Sequence, residues 1–269
     1  MAVGSTVIHL KRLMKGGTSM PKDNTVKSLK RAIAVLDCFS QKEPELSVTE
    51  IARKLGMQKS TIFNILSTFQ ESGILVKNAT NSKYLLGYKL LHLSYIINSG
   101  ISIREDFLPF LKEIANATGE VCYFGLLDGL EVLYIDAVYP LTQLQARNIL
   151  GERAPLYCTG LGKAMLANLS NDQINTVLSS PMPPFTKCTI TDPVILQKEL
   201  DEIRQNGFAV DNMEHEFGIS CVAVPVIGLN GKVLGAVSVS GPSPRFDPLT
   251  VTKTAAIIIE KLQTLQHRY

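Results

Sequence analysis

No stretch of this 269-residue chain approaches the roughly 18 apolar residues of a membrane-spanning helix. Its first residues also lack the apolar segment of a secretory signal. A cytoplasmic protein with no membrane partner is therefore expected. The five cysteines, Cys38, Cys122, Cys158, Cys188 and Cys221, include no C-x-x-C pair, and none stands at metal-ligand spacing from a histidine. Zinc patterns and a disulfide framework are excluded on that spacing, which leaves reduced, mostly buried thiols and an expectation of neither metal nor cofactor. A phosphate-binding glycine loop is missing too: GLGK at 160–163 has neither the spacing nor the Ser or Thr after Lys that a Walker motif requires. The four histidines are scattered, and His215 reads as a solvated loop residue.

What the chain does have is a divided charge. Residues 1–89 hold fourteen Lys and Arg against six Asp and Glu, a net +8, whereas residues 90–269 hold thirteen against eighteen, a net −5. A basic domain on an acidic body is what attraction to nucleic-acid phosphates requires. With 45% hydrophobic residues, this length suits two domains.

The basic part carries the more specific signal. Ser47 followed by Glu50 forms a capping box, so a helix should start at Val48, with Val48, Ile51, Ala52 and Leu55 on one face and Gly56 as its end. A second helix, about Lys59 to Ser72, buries Ile62, Ile65, Leu66 and Phe69 and stops at Gly73. Its other face presents Lys59, Ser60, Thr61, Asn64, Ser67 and Thr68 for phosphates and base edges, with Phe63 placed to touch a thymine methyl. Two apolar runs around Asn78–Lys83 read as a hairpin, the wing of a winged helix, on which Lys77 and Lys83 fall. Ser47, at the start of the first helix, joins these residues as a DNA-contact candidate. Upstream, Leu29, Ile33, Leu36 and Phe39 form one stripe, a third helix to close the core. The partner expected is a double-stranded DNA operator, read by a homodimer because one winged helix reads few base pairs.

At this point the chain resembles the IclR family of bacterial transcriptional regulators, from about Val26 to Gln266. The resemblance runs through LSVTEIARKLGMQKSTIFNILSTFQESGIL, then GERAPLYCTGLGKAMLA at 151–167, IRQNGFAVDNMEHEFGISCVAVPV at 203–226 and GKVLGAVSVSGPSPRF at 231–246. The family often has Arg where this chain has Asn64, and a better helix cap where it has Gln58, so the operator sequence does not carry over. The resemblance implies dimers, often paired into tetramers.

Four parts are expected: a flexible N-terminal arm over 1–25, a winged helix-turn-helix over 26–88, a connecting helix over 89–103 and an effector-binding domain over 104–269. The connecting segment, with a helix from about Lys89 to Asn98 and another from about Ile103 to Ala117, is too apolar for a free linker; Leu90, Leu91, Leu93, Ile96 and Ile97 should pack against a partner subunit or the DNA-binding unit. Beyond it, strands at EVCYFGLLDG, LEVLYIDAVYP, LQARNIL, CVAVPVI and KVLGAVSVS alternate with helices at about 160–168, 171–178, 192–206 and 248–266, an α+β domain around an antiparallel sheet. The resemblance implies a GAF-like or profilin-like fold that holds a small effector.

In VLGAVSVS, Ala236, Ser238 and Ser240 share one face and Val237 and Val239 the other, which sets two hydroxyls about 6.6 Å apart along the strand. Family members bind small carboxylates with an acid, a cysteine and two serines, which the resemblance places at Asp211, Cys221, Ser238 and Ser240. It also places an anion-holding loop at Thr159 and Gly160, where the family often has Ala at the second position. Arg147 and Arg153 would neutralise an anionic ligand or pair on the surface. The leading expectation is a ligand-responsive repressor of a carbon-source operon, released by a small carboxylate or sugar acid. The alternatives are a GAF-like enzyme, with Cys221 as nucleophile and Asp211 or His215 as base, and a thiol redox switch.

Overall fold

The computed structural model describes residues 25–100, 102–141, 149–229 and 231–263. The expected N-terminal arm apart from Thr25, most of the strand expected at LQARNIL, and Arg147 lie outside them. The chain divides between residues 101 and 102 into two compact units.

The first unit holds α1 (Lys27–Leu36), α2 (Val48–Leu55), α3 (Lys59–Glu71), β1 (Leu75–Lys77), β2 (Tyr84–Leu86) and α4 (Lys89–Gly100). The capping box fixes where α2 begins: the Ser47 N–H donates to Glu50 Oε2 at 2.7 Å and the Glu50 N–H donates to Ser47 Oγ at 3.3 Å. Gly56, at φ +65°, closes α2 in the left-handed conformation. The core is formed by Val35, Leu46, Ile51, Ile62, Leu66, Leu75 and Tyr84. Leu46 pairs with Tyr84 through both backbone groups, at 3.0 and 2.8 Å, so the wing hairpin is stitched to the segment before α2.

One expectation fails here. Leu29 and Ile33 are 62% and 54% exposed, and α1 reaches the core through Val35, with Cys38, Leu36 and Phe39 beside it. The core grips only the last turn of α1 and the residues after it, which leaves the earlier part of the stripe in solvent. On α4 too, Leu91, Leu93, Tyr95, Ile96 and Ile97 are exposed, as is Tyr88 just before it.

The second unit is α5 (Ser102–Thr118), β3 (Val121–Asp128), β4 (Glu131–Val138), β5 (Arg153–Pro155), α6 (Gly160–Leu166), α7 (Asn171–Leu178), α8 (Pro193–Asn206), β6 (Ala209–Asn212), β7 (Ile219–Ile227), β8 (Val233–Pro242) and α9 (Pro248–Gln263). Its six strands form one antiparallel sheet in the order β5-β4-β3-β8-β7-β6. The strands β5 and β6 were not foreseen; each is short, and β6 carries Asp211 and Asn212, residue types poor in strands. Helices cover both faces. On one, α6 lies over β6, β7 and β8 with α8 behind it; on the other, α5 and α9 pack on the central strands.

Strand parity assigns the faces. Tyr123 pairs with Ser238 and Gly125 with Ala236, on the α6 side. Phe124 points the other way and stacks on Phe107 of α5, with ring centroids 4.5 Å apart. In β4 a bulge resets the parity, because Phe124 pairs with Asp136 while Gly125 pairs with Tyr134. Ile135 is the extra residue. Tyr134 consequently faces α6 beside Tyr123, and Asp136 faces α5, where Arg104 Nε donates to it at 3.0 Å.

Candidate functional site

Helix α3 turns Ile62 and Leu66 into the core and leaves Lys59, Ser60, Phe63, Asn64 and Thr68 exposed, with Thr61 and Ser67 half-buried. These are the faces the periodicity of the sequence assigns. The Thr68 hydroxyl donates to the Asn64 carbonyl at 2.9 Å, but the Asn64 amide extends outward. Gln58 makes no side-chain cap, so the first N–H groups of α3 are not satisfied from that side chain.

The other DNA-contact candidates are partly occupied within the protein. Ser47 Oγ accepts the Glu50 N–H, which makes it a helix cap first. Lys83 Nζ donates to Glu50 Oε1 at 3.0 Å, and the Ser47 and Lys83 hydrogen bonds hold the Glu50 carboxyl down at about 2. Lys77 Nζ lies 5.6 Å from the centre of the Tyr84 ring. The wing tip is tied back through Asn78 and Asn81, whose amides both donate to Glu45, at 3.1 and 2.7 Å.

In the second unit, Thr159, Gly160, Asp211, Cys221, Ser238 and Ser240 all line one cavity of about 380 Å³. The sheet register brings three of them into a row: Asp211 pairs with Cys221, and Cys221 with Ser240. Ser240 Oγ donates to Cys221 Sγ at 2.8 Å. Gly160 lies over that row so closely that an added Cβ would stand 3.3 Å from Cys221 Cβ, 3.4 Å from Ala223 Cβ and 3.8 Å from Asp211 Cβ. Thr159 caps α6 by accepting the Gly162 N–H at 3.0 Å. Among the described residues, the N–H groups of Thr159 and Gly160 donate to no protein acceptor.

Residues 28–79 match the IclR helix-turn-helix domain, and residues 97–266 match the domain described as bacterial transcriptional regulator IclR C-terminal. The chain belongs to the IclR family of bacterial transcriptional regulators. It is 34% identical over 223 residues to the HTH-type transcriptional regulator XynR of Escherichia coli K12, covering 82% of this chain and 88% of that protein. It is 26% identical over 256 residues to the transcriptional repressor IclR of the same organism, covering 93% and 92%. The crystal structure of the Thermotoga maritima IclR superposes with a TM-score of 0.66 at 32% identity, over 90% of this chain and 98% of that one. Both units of this IclR-family protein are thereby accounted for, and it is a DNA-binding transcriptional regulator.

The cavity of this IclR-family regulator also recruits residues that sequence reasoning missed. Tyr123, Tyr134 and Tyr139 line it, with Glu120, Glu152 and Glu216. Tyr123 was accessible through strand parity, since it shares a face with Ser238; Tyr134 was not, because the bulge reverses the parity of β4. His215 is not the solvated residue expected: it is half-buried, lines the cavity and packs on Phe185 with ring centroids 5.0 Å apart. Loop 213–218 is folded back, which draws the imidazole inward: the Thr186 hydroxyl donates to the Met213 carbonyl at 2.6 Å and the Thr189 hydroxyl to the Glu214 carbonyl at 2.6 Å. Arg153, at the wall, is ion-paired with both Asp128 and Glu131.

The largest omission is Lys163. It is fully buried in α6, and its ammonium bonds Glu199 of α8 and Glu214 of the loop after β6. Burial alone pulls its basicity down, but the two carboxylates hold it above the ordinary lysine value. The Glu214 N–H in turn donates to Asp211 Oδ1 at 2.7 Å, so the ion cluster reaches the cavity wall. Burial pushes the Cys221 thiol up, and the Asp211 carboxylate pushes it further. That is the reverse of what an activated nucleophile needs.

Proposed function

We propose that this regulator is a cytoplasmic repressor of a carbon-source catabolic operon, released from its operator when a small organic or sugar acid occupies the cavity of the second unit. The observation that carries the reading is the convergence of the Thr159 and Gly160 amides, Ser238, Ser240, Cys221 and Asp211 on one cavity of about 380 Å³, a size suited to a small molecule. The amides supply donors for a carboxylate; the hydroxyls and Asp211 suit a ligand that itself carries hydroxyl groups. Lys59, Ser60, Thr61, Phe63, Asn64 and Thr68 of α3 contact the operator, with Ser47, Lys77 and Lys83 at its edges. Exposed apolar side chains on α1 and α4, from Leu29 and Ile33 to Ile96 and Ile97, support a homodimer or a dimer of dimers. The raised Cys221 thiol argues against an enzyme acting through that residue.

A gel shift at fixed salt, with promoter regions flanking the regulator's own gene and a panel of organic and sugar acids, tests both halves. A specific complex released by one of the acids is the expected result. The doubly substituted Ser238→Ala, Ser240→Ala protein should bind the same DNA yet need about 5–30-fold more acid for release, the loss of two hydrogen bonds of about 0.5–1 kcal/mol each. Unchanged release would move the effector site elsewhere, and turnover of any acid would restore the enzyme reading.

A further inference from the structure

Among the described residues that line the cavity, carboxyl groups outnumber cations. Asp211, 4% exposed, lines the wall next to Gly160, whose added Cβ would come within 3.8 Å of the aspartate Cβ. Lys163 is the buried cation of the cluster, and it is already committed to Glu199 and Glu214. At the wall, Arg153 is held by Asp128 and Glu131, and Glu120 by Arg245. The groups that face Asp211 are Cys221 on β7, Ser240 on β8, Tyr134 on β4, Cys158 ahead of α6, Lys163 on α6, Glu199 on α8, and Glu214, His215 and Glu216 on its own loop. A carboxylate held by the Thr159 and Gly160 amides would enter beside an aspartate whose cationic neighbours among the described residues, Lys163 and Arg153, are already ion-paired to carboxylates. Two carboxylates at such range in a low-dielectric site do not both stay ionised.

We propose that a carboxylate effector enters this cavity together with one proton, which Asp211 takes up, so that the neutral carboxyl donates an O–H···O hydrogen bond to the bound anion. One proton leaves solvent, one O–H bond forms on Asp211, and the ligand keeps its charge. Effector sensing is thereby tied to pH. The inference rests on the carboxylate reading above.

The surroundings favour uptake near neutrality. Burial pushes the Asp211 carboxyl up to about 6, against the pull of the Glu214 N–H and Lys163, and burial pushes Glu214 to about 7. The sign follows by linkage: above the free-state value of Asp211, binding must draw a proton from solution, so affinity falls as pH rises; below it the proton is already present and affinity levels off.

The test is isothermal titration of the full-length protein with D-gluconate and with pyruvate, at pH 7.5, in two buffers of different ionisation heat. The expected result is a buffer-dependent heat equal to about one proton taken up, with affinity falling about tenfold per pH unit above pH 7 and levelling below about pH 6. Asp211→Asn carries the neutral isostere at every pH, so its heats should not depend on buffer and its affinity should be flat. Heats independent of buffer in the wild-type protein overturn the proposal without any variant. A pH slope that survives in Asp211→Asn also overturns it, as does a slope abolished only by Glu214→Gln, which would put the proton on Glu214. If neither acid binds, the carboxylate reading falls and takes the inference with it. Binding without proton uptake defeats the inference alone.

Discussion

The two units use the same kinds of side chain in opposite places. On α3, hydroxyls and an amide at Ser60, Asn64 and Thr68 stand in solvent on a face the core does not need, while Ile62 and Leu66 hold the helix from the other side. In the second unit, Ser238, Ser240 and Asp211 are 2%, 7% and 4% exposed, and Lys163 is wholly buried. A DNA reader must present its polar groups to a partner larger than itself. An effector cavity must enclose its ligand. Recognition and stability are therefore separable in the first unit and entangled in the second.

Lys163 is where the second unit should suffer most from a single substitution. Lys163→Met keeps the side-chain stem and removes the charge, which leaves Glu214 and Glu199 facing each other without a cation; breaking a buried pair of this kind costs about 3–5 kcal/mol. Urea unfolding followed by a probe in the second unit should show that loss, while a probe in the first unit should not move. Retained stability of the second unit would mean that its buried polar groups are as dispensable to folding as those on α3.

Lys163 carries no local sign of its burial in the sequence. Within GLGKAML it looks like a failed phosphate loop or an ordinary helical lysine, and its partners lie 36 and 51 residues away. Local signals fared better. The capping box at Ser47 and Glu50, Gly56 at the end of α2, and the pattern Ile62, Leu66 inside with Asn64 outside are all written within one or two turns. The alternation in β8 likewise put Ser238 and Ser240 on one face before any partner strand was known. What could not be read depends on neighbours: the Asp211, Cys221 and Ser240 row exists only through the pairing of β6, a strand too short and polar to be seen, and the β4 bulge exists only against β3. The α1 stripe failed for a related reason, because periodicity shows which residues share a face but not how far the core extends along it.

Asn64 should show the opposite behaviour, with binding lost and stability kept. Asn64→Ala removes an exposed amide that bonds nothing in the core, so thermal stability should stay within about 0.5 kcal/mol of wild type. Operator discrimination should drop by about 1–3 kcal/mol, the worth of a bidentate contact to a base. Footprinting across single-base operator variants would read the loss as relaxed preference at one position per half-site. An unaltered footprint would remove Asn64 from the base-reading set and shift that role to Ser60 or Thr61.

Ser47 is where the separation of roles in the first unit is weakest, and the effect there is the smallest. Its Oγ accepts the Glu50 N–H and its hydroxyl also bonds the Glu50 carboxyl, so a phosphate would compete with Glu50 for it. Ser47→Ala should cost the first unit about 1 kcal/mol as a lost cap. Ser47→Gly separates the two contributions, because glycine at a cap costs only about a few tenths of a kcal/mol but offers a phosphate no hydroxyl. If Ser47 serves only the helix, Ser47→Gly should match wild type in operator affinity. If it also meets the DNA, Ser47→Gly should unfold close to wild type and bind the operator more weakly.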